Sequence, residues 1–339
     1  MDPMFRRRRS RIPYDMFDLP RSVEDAKRMV KLQSLYHRGQ ELAWDGRQVL
    51  KDLIKKHGGV RVSPEKRQAI GRIFDVILWG ELAAWKISAE LADQIVELEP
   101  KMAATSQAHD EARHFYVMYD YLVELGHEPR PMEGASEQLL EEVLATRSLA
   151  KKLLGMQLQV ESLALTLFQA VRELQVEPVL ADLLRYYEKD EARHVGLGIQ
   201  YLPPLIRKMS LPEGLSLFGF QLKIVAWSIA SLKSLEPDLR FLGVDTRRIL
   251  DLGRAKQMLA FQELWDQMGI TRVPRSRELV FKGINAMVDV VFPEGEPPRR
   301  LGDVWRAMRR GWSRDLYEGT EATSLDPTQT PKTPRAAHG

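Results

Sequence analysis

The sequence predicts an all-α protein whose core is a four-helix bundle with additional flanking helices. Apolar residues recur at helical period, as at Ile73, Ile77, Leu78, Ala84 and Trp85, and strand-like alternation is nearly absent. Capping and stop signals divide the chain into segments of helical length. The pentapeptide Asp-Glu-Ala-Arg-His occurs twice, at 110–114 and 190–194. Thirty residues before each copy's glutamate stands another, Glu81 before Glu111 and Glu161 before Glu191, so the spacing is 30, 50, 30 and the repeat has an offset of 80. Such a repeat calls for two equivalent helical hairpins.

Residues 1–21 read as a basic N-terminal arm. Arg6 to Arg9, Ser10 and Arg11 resemble a twin-arginine signal, but residues 12–20 contain Asp15, Asp18 and two prolines and no apolar core, so a signal peptide is rejected. Residues 22–205 form the bundle with a leading helix. Ser22-x-x-Asp25 resembles a capping box, opening a helix that runs to Gly58-Gly59. Ser63-Pro64 supplies an N-cap and a first-turn proline for a second long helix. An acid such as Glu81 inside that helix's apolar stripe is costly unless something cationic meets it. If Glu81 and Glu111/His114 lie at one height on antiparallel helices, the turn falls near residue 97, and Glu99-Pro100 stands close by. The second midpoint is near 177, where Glu177-Pro178 stands. Gly126 ends the first hairpin, 127–135 is a Pro/Gly-rich loop, and a helix opens at Ser136 whose first part serves as crossover. Pro203-Pro204 closes the core after Tyr201. Residues 206–318 form a C-terminal helical extension: Ser210-x-x-Glu213 opens an apolar helix, Asp245 caps another through about Met268, and a third covers Arg275 to Val290. Residues 319–339 read as a disordered tail.

Composition excludes several classes. A net charge of +3, from 50 basic and 47 acidic residues, implies no nucleic-acid surface. The absence of cysteine rules out disulfides, thiolate zinc sites and iron–sulfur clusters, and fits a reducing cytoplasm, the expected location. The most apolar window, 215–232, is interrupted by Lys223 and is shorter than a spanning helix needs, so a buried helix or subunit contact is expected rather than an integral membrane segment.

Glu at i and His at i+3 share one helix face. One Glu-x-x-His is usually a solvated surface pair, but two copies with glutamate partners at one shared distance are hard to obtain by accident. Glu81, Glu111, His114, Glu161, Glu191 and His194 are therefore the candidate metal ligands. Hard carboxylate oxygens with imidazole suit iron or manganese better than zinc, and four carboxylates balance two divalent ions. Asp110 and Asp190, each four residues before a ligand histidine, are expected to reach along their own helices to the ring nitrogen facing away from the metal. Arg113 and Arg193 would pair with these aspartates; the bland alternative is i,i+3 surface pairs. Tyr187, one turn before Glu191, is a candidate redox-active or hydrogen-bonding residue, with an ordinary core tyrosine as the competing reading. Trp85, Met118, Gln157, Leu165 and Phe168 occupy one-turn positions expected to line a mostly apolar pocket.

At Glu81, 110–114, Glu161 and Asp-Glu-Ala-Arg-His-Val-Gly-Leu-Gly 190–198, the chain resembles the ferritin-like carboxylate-bridged di-metal oxidases, over roughly residues 65–205. The second motif is most similar to the ligand-binding oxidases related to the ribonucleotide reductase small subunit. That resemblance implies a ferritin-like four-helix bundle holding two Fe ions or a Mn/Fe pair. Departures narrow it. Met118 stands at the reductase radical-tyrosine position, with Tyr116, Tyr119 and Tyr121 out of register. Met156 and Ala84 replace the cross-linking Tyr and Val of the ligand-binding oxidases. Tyr187 replaces the seventh-ligand histidine of the N-oxygenases, and the lack of cysteine excludes a rubrerythrin-type iron domain.

The expected function is an O2-activating oxidase or monooxygenase acting on an apolar substrate, fatty-acyl chains included, with electrons from an unassigned donor. Glu81, Glu111, His114 and a bridging glutamate would hold one metal, and Glu161, Glu191 and His194 the other. The alternative is a non-oxygenase metal protein: a ferroxidase, a metal-handling protein, or a metal-stabilised bundle that binds a lipid or partner. By analogy alone, a homodimer through an outer helix is expected.

Overall fold

The computed structural model describes residues 18–270 and 275–320. Most of the expected basic arm and disordered tail lies outside the described residues. Every regular element among them is helical.

The leading segment is three helices rather than one: α1 (Leu19–Arg28), α2 (Val30–Glu41) and α3 (Gly46–His57). Ser22 does not cap α1, which begins three residues earlier; its hydroxyl donates to the Asp18 carbonyl at 3.1 Å. The helix breaks after Glu41 because Asp45 caps a new one, accepting from the Gln48 N–H at 3.0 Å. α3 ends where expected, at Gly58, whose φ of 71° is the left-handed conformation that glycine adopts without strain.

α4 (Pro64–Gln94) and α5 (Leu98–Leu125) form the first hairpin. The Ser63 hydroxyl accepts from Lys66 N–H and Pro64 occupies the first turn, as the sequence indicates. The turn falls at 95–97. The segment from 135 is not one helix. It comprises α6 (Ala135–Ala145), α7 (Leu149–Leu153), a π-helical stretch Leu154–Val160 and α8 (Glu161–Glu173). Ser148 caps α7 and so ends the crossover. α9 (Pro178–Arg207) is capped by Glu177, whose carboxylate accepts from the N–H groups of Val179 and Leu180. Pro203-Pro204 lies inside α9 instead of ending it. The Tyr201 hydroxyl donates to Glu97 at 2.7 Å and Leu202 is buried, so tertiary contacts hold these turns despite the missing donors.

α10 (Leu211–Phe241), α11 (Thr246–Gln267) and α12 (Arg275–Val291) follow their sequence signals closely. α13 (Leu301–Ser313) has no Ser, Thr or Asn cap; Asp303 accepts from the N–H groups of Arg299 and Arg300 instead. α4, α5, α8 and α9 enclose the centre, α2 and α3 lie across α5 and α9, and α10 packs on α4, α6 and the π-helical stretch. α10 is long and apolar enough to cross a membrane, but half of its most apolar window is buried against these neighbours. α13 packs on α12.

Candidate metal centre

The two hairpins aim six side chains at one point. α4 contributes Glu81, α5 Glu111 and His114, α8 Glu161, and α9 Glu191 and His194, all buried. Their ligand atoms fall into two groups, each within 4.8 Å: Glu81, Glu111, His114 and Glu191, and Glu111, Glu161, Glu191 and His194. Glu111 and Glu191 belong to both. The centre is thus more symmetric than expected, with two shared glutamates rather than one, and a terminal glutamate and a histidine on each side.

Both histidines turn Nδ1 inward. His114 Nδ1 lies 3.4 Å from Glu81, 3.5 Å from Glu111 and 3.3 Å from Glu191. His194 Nδ1 lies 3.0 Å from Glu111 and 3.4 Å from Glu191. Both Nδ1 atoms, with Glu111 Oε2 and Glu161 Oε2, are buried without a hydrogen-bond partner. Buried polar atoms left unpartnered are costly, and here they converge with donor chemistry suited to two hard cations. The residues fit a metal pair on that observation.

The histidines' outer nitrogens are paired differently from expectation. His114 Nε2 meets Asp190 of α9 at 3.0 Å, and His194 Nε2 meets Asp110 of α5 at 3.3 Å. Each aspartate therefore serves the histidine of the opposite helix, not its own. With Nδ1 turned to the centre, Nε2 points outward across the α5–α9 interface, where the other repeat's aspartate stands. The arginines cross as well. Arg113 donates to Asp110 at 2.6 Å and Asp190 at 2.8 Å, and Arg193 to Asp110 at 2.8 Å and Asp190 at 2.7 Å. All four are buried, which excludes the surface-pair reading.

Two residues outside the sequence expectations, Trp44 and Gln107, complete the surroundings of the ligands. Trp44, in the α2–α3 loop, donates from Nε1 to Asp190 at 2.8 Å and lies under the Arg113 guanidinium at 4.7 Å. Gln107, one turn before Glu111, donates to Glu111 at 3.1 Å and Glu161 at 2.6 Å. Its i−4 relation to a ligand was the signal that could have found it. Gln157, expected in the pocket, instead contacts Gln107 at 3.4 Å. Tyr187 donates to the His114 backbone carbonyl at 2.6 Å and stacks on the His114 ring at 4.2 Å. Among the described residues its hydroxyl makes no hydrogen bond to a ligand oxygen, and both contacts bear on the position of His114.

An apolar cavity of about 90 Å³ opens onto all four glutamates. Its walls come from α4, α6, the π-helical stretch, α8 and α10, among them Ile77, Leu140, Met156, Val160, Leu167 and Leu232. The five residues expected to line a pocket do not line this one. Trp85 is 43% exposed on the outer side of α4, while Met118, Leu165 and Phe168 are packed into the core. One-turn spacing along a ligand helix places a side chain above or below the centre, whereas the cavity lies to one side of it, toward α10.

Charge is unevenly held in the metal-free site. Burial pushes Glu81 and Glu161 well above the usual carboxylate range, with neighbouring glutamates adding to it. Burial would also raise Glu111 and Asp190, but the histidines override it, with arginines helping at Asp190, and both are held low. His114 and His194 are raised despite burial by the carboxylates around them. The cluster therefore holds protons where cations would sit, and metal entry must displace them.

No family model matches the chain, and no curated protein matches it. Among solved structures it is similar to R2-like ligand-binding oxidases. A variant with an aerobically reconstituted Mn/Fe cofactor is 15% identical, over 72% of this chain and 93% of that one, with a TM-score of 0.49. A variant with an anaerobically reconstituted Mn/Fe cofactor is 16% identical, over 72% and 94%, also with a TM-score of 0.49. Two hairpins that each bring a glutamate and a Glu-x-x-His pair to one buried centre are the arrangement known from ferritin-like carboxylate proteins, and the described helices of this chain are arranged in the same way.

Proposed function

We propose that the protein is an O2-activating di-metal oxidase or monooxygenase acting on an apolar substrate held in the cavity beside the centre. One observation carries this reading: the four glutamates that face the two histidines also form the polar end of an otherwise apolar cavity. A bound Fe/Fe or Mn/Fe pair would supply the two-electron reduction of O2 at that end. Glu81, Glu111, His114 and Glu191 would hold one ion and Glu111, Glu161, Glu191 and His194 the other, Glu111 and Glu191 being common to both groups. The chain's own part is to orient and exclude. Asp190 and Asp110 fix the histidine rings, Gln107 holds Glu111 against Glu161, and the aliphatic walls keep bulk water from the substrate.

Ferroxidase or metal-handling activity uses the same ligands but needs a polar route for ions. Beyond the glutamates, the cavity offers only Ser136 and Ser231 as side-chain polar groups, which favours the oxidase.

The test is metal content and O2 uptake of the anaerobically reduced, iron- or manganese-loaded protein. About two metals per chain are expected, with O2 consumption that increases with an apolar substrate. Glu111→Ala and Glu191→Ala are expected to abolish both together. O2-dependent turnover in either variant would sink the reading, and O2 uptake coupled only to Fe(II) oxidation would favour the ferroxidase.

A further inference from the structure

Helix α13 carries an exposed apolar stripe on a strongly basic background. Leu301, Trp305, Met308 and Trp312 follow the i, i+4, i+7, i+11 pattern of one helix face, a line about 16 Å long. They are 83%, 72%, 42% and 45% exposed. The stripe is not misdirected core, because the helix's inner face is already seated: Ala307 and Gly311 are buried against α12. A Cβ added at Gly311 would lie 2.3 Å from the Asn285 carbonyl oxygen, so backbone meets backbone there. α13 cannot roll to bury its tryptophans without breaking that contact.

The charge around the stripe is one-sided. Residues 299–310 contain five arginines and one aspartate. By helical geometry Arg309 lies next to the stripe on the side away from α12 and Arg306, paired with Asp303, lies farther round the same side, while Arg310 is on the face opposite the stripe; all three are exposed. Tryptophan and leucine along one line, with arginine beside it, match a helix lying in the plane of a lipid interface. Tryptophan rings favour the headgroup level, and arginine meets lipid phosphate through its planar fork.

We propose that α13 is a peripheral membrane-docking helix for an anionic lipid surface. Leu301, Trp305, Met308 and Trp312 enter the headgroup–acyl boundary and the flanking arginines engage lipid phosphates. The charge complementarity selects a lipid surface over a second copy of the chain, whose α13 would bring the same arginines against these. The proposal rests on α13 alone and is independent of the chemistry at the metal centre.

The test is sedimentation of the full-length protein with large unilamellar vesicles, of phosphatidylcholine alone and with phosphatidylglycerol added. Binding to the anionic vesicles is expected, weak on phosphatidylcholine, and largely released at about 0.5 M salt. Trp305→Ser with Trp312→Ser is expected to lower vesicle binding about tenfold or more, with unchanged thermal unfolding and metal content. Arg306→Gln with Arg309→Gln keeps the stripe and is expected to lower binding only to anionic vesicles, so it decides the matter should the tryptophan variant fold poorly. Wild-type protein that stays in the supernatant with both vesicles overturns the proposal. So does equal binding by wild type and both variants. A wild-type dimer on gel filtration that the tryptophan variant converts to monomer, without vesicle binding by either, overturns it in favour of an interface between copies.

Discussion

Asp190 accepts from His114, Trp44, Arg113 and Arg193, whereas Asp110 serves His194, Arg113 and Arg193. Partners of this kind fix the ring and raise the basicity of the metal-facing nitrogen, and losing one lowers metal affinity about 10–100-fold. Asp190→Asn is therefore expected to weaken metal retention more than Asp110→Asn, measured by competition with a chelator. Equal, negligible losses would mean that the crossed pairing does not support the ligands. At Tyr187, the hydroxyl's only hydrogen bond among the described residues is to the His114 carbonyl. Tyr187→Phe keeps the ring stack and should cost about 1–2 kcal/mol in stability, with metal content and O2 uptake retained. Loss of O2 uptake at full metal content would assign the hydroxyl a redox role instead. The ligand pattern was legible at this scale because Glu-x-x-His is a property of one helix face. The aspartate partners were identified by residue but assigned to the wrong histidines, since spacing on one helix says nothing about the helix opposite.

Among the elements, four announced by backbone chemistry fall where the sequence places them, whereas Ser22 does not cap α1 and Pro203-Pro204 does not end α9. Ser63-Pro64, Gly126, Glu177-Pro178 and Asp245 each satisfy or terminate a helix end locally, so no tertiary information is needed to read them. The π-helical stretch before Glu161 has no such signature. It depends on how α9 packs against it: a Cβ at Gly198 would lie 2.9 Å from Gln157 Cβ and 3.0 Å from Leu158 Cδ2. π-helical turns recur at functional sites, and this one delivers Glu161 into the centre. Gly198→Ala is expected to destabilise by about 1–3 kcal/mol through overpacking, and to loosen metal at the Glu161 side first. Chemical denaturation and metal stoichiometry check both parts, and unchanged values for both would show that the contact relaxes freely.

For the whole molecule, the buried charge cluster makes stability depend on pH and metal together. In the metal-free fold Glu81, Glu161, His114 and His194 bind protons more tightly than in the unfolded chain. Their contribution is complete below the unfolded pKa values, about 4.3 for Glu and 6.5 for His, and is lost as pH rises through the folded ones. Glu111 and Asp190, held low, act with the opposite sign, and their contribution disappears only in strong acid. Metal-free protein is thus expected to be most stable in mild acid and to lose stability as pH rises, more steeply above about 6.5 as the histidines join. Bound metal replaces those protons, so the loaded protein should hold its melting temperature to higher pH, with protons released on loading. Thermal unfolding with and without chelator across that range tests this. A metal-free curve that climbs with pH would mean that the glutamates ionise without penalty.

The sequence by itself determined that the chain is helical, where several of the helices start and stop, and which six side chains meet, because helical period, capping and the i,i+3 relation act within one element. Only the tertiary structure decided that Glu111 and Glu191 are shared, that each aspartate serves the opposite histidine, that Trp44 joins them, and that the cavity opens toward α10 and not toward Trp85. Those outcomes depend on the distance and rotation between helices far apart in the chain, which side-chain packing across the bundle sets and no local pattern encodes.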